Sequence, residues 1–173
     1  RVLILGYGRI GEAIERRLAG FEVASVTRVA RRARDGEPQV HATTELPDLV
    51  TESDVVIVIA PLTADTEGLV DADLLSRMPD DALLVNVARG RLVDTDALVA
   101  ETGSGRLRAA LDVTDPEPLP PDHPLWQIPN VLISPHVGGA SSAFWPRADR
   151  LVAAQLGRFI AGEPLDNVIA KGA

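Results

Sequence analysis

Val2-Leu3-Ile4-Leu5-Gly6-Tyr7-Gly8-Arg9-Ile10-Gly11 stands one residue into the chain and decides how the rest is read. Four apolar residues in a row suit a strand buried on both faces. Gly6, Gly8 and Gly11 then fall at G-x-G-x-x-G spacing, and Ile10, Ala13, Ile14 and Leu18 share one face of a helix over residues 10–18. Strand, glycine turn and helix in immediate succession form the context in which this spacing marks a dinucleotide site. Gly6 permits the tight turn, Gly8 lets backbone approach a pyrophosphate, and Gly11 lets the helix pack closely on the strand. The helix start adds N–H groups and a positive partial charge, both suited to phosphates.

Working outward, apolar runs and helical patterns keep alternating. Strands are expected near residues 22–27, 39–42, 54–60, 82–87, 108–113 and 131–134. Helices are expected over 44–51, 71–77, 94–101 and 148–160, with Asp94 capping the third of these ahead of Ala97 and Leu98. Residues 28–38 and the proline-rich stretch 115–124 read as loops. The run Asp54-Val55-Val56-Ile57-Val58-Ile59-Ala60 is apolar on both faces, as in a strand covered by helices on each side. This order predicts an α/β fold: a doubly wound parallel sheet of Rossmann type, with helices on both faces.

Composition narrows the function. The 173 residues suit one domain, and no internal repeat or low-complexity tract interrupts them. Seventeen Lys and Arg against 25 Asp and Glu give a formal net charge of −8, which argues against a nucleic-acid partner or an anionic membrane surface. With no cysteine, disulfides, thiolate metal sites and cysteine nucleophiles are excluded, and no metal site is expected. The longest apolar stretch, residues 55–62, is too short to span a bilayer. No leading segment resembles a signal peptide, so the expected setting is cytoplasmic; a start directly into a strand points to a piece of a longer protein.

Which dinucleotide depends on the end of the second strand. NAD enzymes of this fold place Asp or Glu about 20 residues beyond the glycine motif for the ribose hydroxyls. Here the chain runs Val26-Thr27-Arg28-Val29-Ala30-Arg31-Arg32, and no acid appears before Asp35. Guanidinium suits a 2′-phosphate. NADP(H) is therefore expected over NAD(H), with Thr27, Arg28 and Arg31 along the cofactor and Arg28 the first candidate for the phosphate. A solvated arginine loop is the plainer alternative.

Three further segments lie where strands of such a sheet should end, the edge at which open α/β sheets bind ligands. They are Asn86-Val87-Ala88-Arg89-Gly90-Arg91-Leu92-Val93-Asp94, Leu111-Asp112-Val113-Thr114-Asp115-Pro116-Glu117-Pro118-Leu119, and Ser134-Pro135-His136-Val137-Gly138-Gly139. With the Pro61-Leu62-Thr63 to Thr66 loop and His123-Pro124-Leu125-Trp126, they make the chain resemble the D-isomer-specific 2-hydroxyacid dehydrogenases, which include glyoxylate/hydroxypyruvate reductases. The resemblance covers nearly every residue.

The resemblance implies hydride transfer between a nicotinamide cofactor and a 2-keto or D-2-hydroxy acid. It assigns Arg89 to the substrate carboxylate, His136 to acid/base work and Glu117 to orienting the ring; a carboxylate beside an imidazole favours the protonated form. Asp112 would accept from the nicotinamide carboxamide. Arg9 and Ile10 would meet the pyrophosphate. Pro61, Thr66, Val87 and Ala88 would line the cofactor cleft, and Gly138 and Gly139 would keep the loop after His136 open. His41 and His123 read as structural, and Trp145 could close over substrate or a partner subunit.

Family members have two domains, so the resemblance also implies a substrate domain preceding residue 1. Residues 1–173 would then be the NAD(P)-binding domain, with a closing segment from about residue 162. A fragment of this extent is expected to bind cofactor yet turn over slowly, because half of a water-excluding cleft is elsewhere. A homodimer is expected, with Phe144 and Trp145 exposed. A nucleotide-sensing regulator, corepressor-like on the same fold, is the competing reading.

Overall fold

The computed structural model describes residues 1–168, which divide into two compact units, Arg1–His136 and the segment from Val137 onward. The first unit holds seven strands: β1 (Val2–Leu5), β2 (Val26–Ala30), β3 (His41–Ala42), β4 (Val55–Val58), β5 (Leu83–Asn86), β6 (Arg108–Leu111) and β7 (Val131–Ile133). They form one sheet in the order β3-β2-β1-β4-β5-β6-β7, parallel throughout. The Rossmann-type α/β fold expected from the alternation is therefore present.

β1 shows why four apolar residues in a row were required. Leu3 and Leu5 face a large core that also holds Val29, Val56, Val58, Leu84 and Leu111. Against it pack α2 (Leu46–Leu49), α3 (Ala72–Arg77) and α4 (Thr95–Gly103) through Leu46, Leu74, Leu75 and Leu98. Val2 and Ile4 turn to the opposite face, where α1 (Arg9–Leu18) supplies Ile14 and Leu18. Side chains alternate along a strand, so burial on both sides demands an unbroken apolar run. The short helices begin on side-chain caps: Asp71 accepts from the Leu74 amide at 2.8 Å, and Asp94 accepts from that of Ala97 at 3.0 Å, the role read for Asp94 from sequence.

Both ends of β2 differ from expectation. β2 begins at Val26, not at Glu22, and ends at Ala30. A 3₁₀ turn over Ala19–Phe21 ends on Glu22 in the left-handed region (φ 54°), so the chain is still reversing there. Val26 is the residue that lies beside Val2. The sheet edge therefore falls at Ala30–Arg31, and Thr27 and Arg28 lie within the strand.

The second unit is built on α5 (Phe144–Ala161), which starts four residues before the expected position. Pro146 is accommodated there, because a proline in the first helical turn gives up only an amide that has no intrahelical partner. Phe144 and Trp145 thus belong to the helix, ring on ring edge-to-face at 5.2 Å, and both are exposed as expected. Gly162 (φ 68°) closes the helix. Arg158 pairs with Asp166 at 3.0 Å, and the Gln155 side chain donates to the Asp166 carbonyl and accepts from its amide, both at 3.1 Å. The expected closing segment is described as far as Val168; its last residues lie outside the described part. No helix among the described residues is long and apolar enough to cross a membrane.

Candidate active site

The sheet order reverses at β1, so the C-terminal ends of β1 and β4 bound the crevice in which such sheets bind ligands. Gly6 (φ 109°) makes the turn, and a methyl group on it would stand 2.4 Å from the Ala60 amide nitrogen. Only glycine lets these two loops approach so closely. A methyl on Gly11 would touch Ile4 Cγ2 at 3.2 Å, the close helix–strand packing read from the motif. Above Gly8 lies open space, with nothing within 4 Å of where a Cβ would be. Gly8 is also the N-cap of α1 and has no side chain to cover the first-turn amides. Arg9 and Ile10 are exposed beside it. This arrangement fits a dinucleotide pyrophosphate.

On the β2 side the arginines divide. The Arg28 guanidinium makes a two-pronged pair with Glu15 of α1, with Nε donating to Oε2 at 2.9 Å and Nη2 to Oε1. The Tyr7 hydroxyl donates to the same carboxylate. These partners hold Glu15 below the usual carboxylate range, the Arg28 hydrogen bond first, and Glu15 in turn raises Arg28. Arg28 and Arg34 both lie 5.7 Å from the Tyr7 ring centre, and Arg34 donates to the Tyr7 carbonyl. Arg28 is thus inside the strand and already paired, whereas Arg31 is exposed as the first residue past β2. Thr27 lies beside Leu3, well below the edge.

Beyond β4, the Thr66 hydroxyl donates to the Pro61 carbonyl at 2.7 Å and accepts from the Thr63 amide at 2.8 Å, so Thr66 shapes the loop that presents Pro61. Beyond β5, Asn86 is almost wholly buried and builds the turn that carries Arg89. Its amide donates to the Arg89 carbonyl at 2.9 Å, and its oxygen accepts from the Ala88 amide at 3.1 Å. Ala88 is buried and Val87 exposed at this edge. Gly90 is buried against the loop beyond β6, where a methyl group would stand 1.9 Å from the Thr114 carbonyl oxygen. The turn bearing Arg89 therefore abuts the segment leading to Glu117. Sequence reasoning passed over Asn86 and Gly90; a polar residue ending an apolar strand was the available signal for the first.

At the ends of β6 and β7 the motif residues meet. His136 Nδ1 lies 2.5 Å from Glu117 Oε1, with both side chains partly exposed. A carboxylate only accepts, so Nδ1 carries a proton toward Glu117, and Nε2 is left for other partners. Asp112 Oδ1 accepts from the Ser134 hydroxyl at 2.6 Å. Gly138 and Gly139 lie in the second unit, on a turn in which the Ala140 amide reaches the Val137 carbonyl at 2.8 Å. Trp145 is exposed in the first turn of α5. His41 pairs with Glu45 at 2.8 Å and His123 accepts from the Leu125 amide at 3.3 Å, the structural parts read for them.

Residues 1–138 match the family model for the NAD-binding domain of D-isomer-specific 2-hydroxyacid dehydrogenases. The chain belongs to this family. It is 39% identical over 165 residues to human glyoxylate reductase/hydroxypyruvate reductase, covering 94% of this chain and 50% of the human protein. A D-isomer-specific 2-hydroxyacid dehydrogenase from Xanthobacter autotrophicus Py2, solved with NADPH and MES, superposes with a TM-score of 0.87 at 38% identity, over 98% of this chain and 70% of that one. An NADPH-dependent glyoxylate/hydroxypyruvate reductase from Sinorhizobium meliloti, solved with NADP and malonate, gives a TM-score of 0.82 at 37% identity, over 98% and 53%. The chain spans about half the length of the curated relatives it matches. The part of the family that it matches is the NAD-binding domain.

Proposed function

We propose that the full-length protein reduces a small 2-keto acid, of the glyoxylate or hydroxypyruvate class, to the D-2-hydroxy acid with NADPH. The His136–Glu117 pair at the ligand-binding edge of the sheet carries this reading. When bound, the nicotinamide supplies the hydride. Gly8, Arg9 and Ile10 hold the pyrophosphate, and Asp112 accepts from the carboxamide. The planar fork of Arg89 holds the substrate carboxylate. Nε2 of His136 delivers a proton to the oxygen that gains negative charge, while Glu117 keeps the ring turned toward it.

NADP preference is supported by the absence of any acid between Val26 and Arg34 and by the exposed guanidinium at the strand edge. With Arg28 engaged by Glu15, the 2′-phosphate falls to Arg31. The relatives solved with NADPH or NADP agree with this choice. We also propose that residues 1–173 alone bind cofactor but turn over slowly, and that the protein is a homodimer, for which the exposed Leu151, Val152, Phe159 and Ile160 of α5 offer apolar area.

A panel of 2-keto acids assayed with NADPH and with NADH on the full-length protein tests the reading. Turnover with NADPH is expected, and His136→Ala should abolish it while leaving NADPH affinity nearly unchanged. Tighter binding of NADH than of NADPH would overturn the cofactor preference, and an active His136→Ala variant would overturn the mechanism.

A further inference from the structure

Ser134 makes a hydrogen bond from each of its polar groups to a functional segment. Its amide donates to the Leu111 carbonyl at 2.8 Å, seating the end of β7 beside β6. Its hydroxyl donates to Asp112 Oδ1 at 2.6 Å. Its carbonyl accepts from the His136 amide at 3.0 Å, and His136 takes a left-handed backbone (φ 53°), a conformation unusual outside glycine. One residue thus fastens both the carboxylate proposed to receive the carboxamide and the turn that carries the imidazole.

We propose that Ser134 is a positioning residue that fixes Asp112, and through it the nicotinamide ring, in register with His136; this rests on the function proposed above. A carboxylate has two nearly equivalent oxygens and turns easily about its own axis. A hydroxyl donating to Oδ1 sets that rotation, which decides where a carboxamide N–H is received. Because the serine backbone also holds the His136 turn, hydride donor and proton donor are set from one origin. A catalytic geometry held this way is sensitive to small displacements.

The test uses the full-length protein with glyoxylate and NADPH. Ser134→Ala should lower kcat about tenfold, on the order expected for one lost hydrogen bond to an ionised group, while KM for glyoxylate changes little. Ser134→Cys keeps the size of the side chain with only a weak donor, so it should show the same loss and decides the matter should the alanine variant not fold. Ser134→Thr should restore kcat. In an Asp112→Asn background, Ser134→Ala should cost nothing further, because the serine acts through that carboxylate. Bound NADPH should show a shortened fluorescence lifetime in the Ala and Cys variants, a readout that needs no keto acid.

Parent-like kcat and lifetime in these variants, failure of threonine to restore activity, or losses that multiply in the double variant would each overturn the role of Ser134. A parent protein that oxidises NADPH with no 2-keto acid would instead overturn the functional reading, and the lifetime measurement would still judge Ser134.

Discussion

Gly90 meets the Thr114 carbonyl so closely that a methyl group on its Cα would stand 1.9 Å from the oxygen. Two loops from neighbouring strands, one bearing Arg89 and the other leading to Glu117, are pressed together at a point where only a hydrogen fits. Gly90→Ala must push the loops apart, since the nearest neighbours of that methyl, the Thr114 carbonyl and the Asp115 amide nitrogen, are all backbone. We expect a stability loss of about 2–4 kcal/mol and a fall in kcat/KM of the full-length enzyme of about a hundredfold. Thermal unfolding and steady-state kinetics check both, and an alanine variant with parent-like values would remove the constraint.

Asn86 acts on the same turn from below. Asn86→Ala leaves the Arg89 carbonyl and the Ala88 amide without their side-chain partner in a buried setting. The expected cost is about 2–3 kcal/mol. KM for glyoxylate should rise more than the Kd for NADPH, because Arg89 and not the glycine turn is displaced. Isothermal titration of NADPH beside keto-acid kinetics separates the two effects.

Glu117→Gln keeps the shape of the partner of His136 and removes its charge. The imidazolium that forms or is consumed in turnover then loses its counter-charge, and kcat should fall about tenfold or more. NADPH affinity should be unchanged. A variant as fast as the parent would mean that the 2.5 Å contact has no part in proton delivery.

Glu15 gives a pH dependence with a definite sign. Its carboxyl is held below the ordinary glutamate value, chiefly by the Arg28 hydrogen bond and further by Tyr7. The unfolded chain therefore takes up this proton first as pH falls. The pair's contribution is fully present above about pH 4.3, the ordinary value, and is lost as pH drops through the lower folded value. Glu15→Gln should lower stability at neutral pH by about 1–2 kcal/mol, or about 3–6 °C in Tm for a chain of this size. It should also flatten the acid limb of the stability curve. Denaturant titrations at pH 7 and pH 3.5 on parent and variant check the sign: the difference between them must shrink in acid.

How far these residues could be read in advance depended on the range of the forces that place them. The β1–glycine–α1 unit spans adjacent residues, and its steric demands are local, so the motif declared it outright. The caps Asp71 and Asp94 act over three residues and were equally open to reading in the case of Asp94. The pairing of Arg28 was not legible because β2 runs to Ala30, and nothing within the strand itself reveals that Glu15, thirteen residues earlier, meets its guanidinium. The start of α5 was obscured by a proline whose missing amide costs nothing in a first turn.

Residue order alone determined the parallel alternation, the glycine turn, the apolar stripe of β1 and the family to which the motifs belong. The first three follow from periodicity or from the side-chain size permitted at one position, and the family from the resemblance of its motifs. Tertiary structure alone decided that His136 reaches Glu117 across nineteen residues, that Gly90 abuts Thr114, and that Ser134 holds Asp112. Those meetings depend on which strands lie side by side, and that order is fixed by packing both faces of the sheet at once.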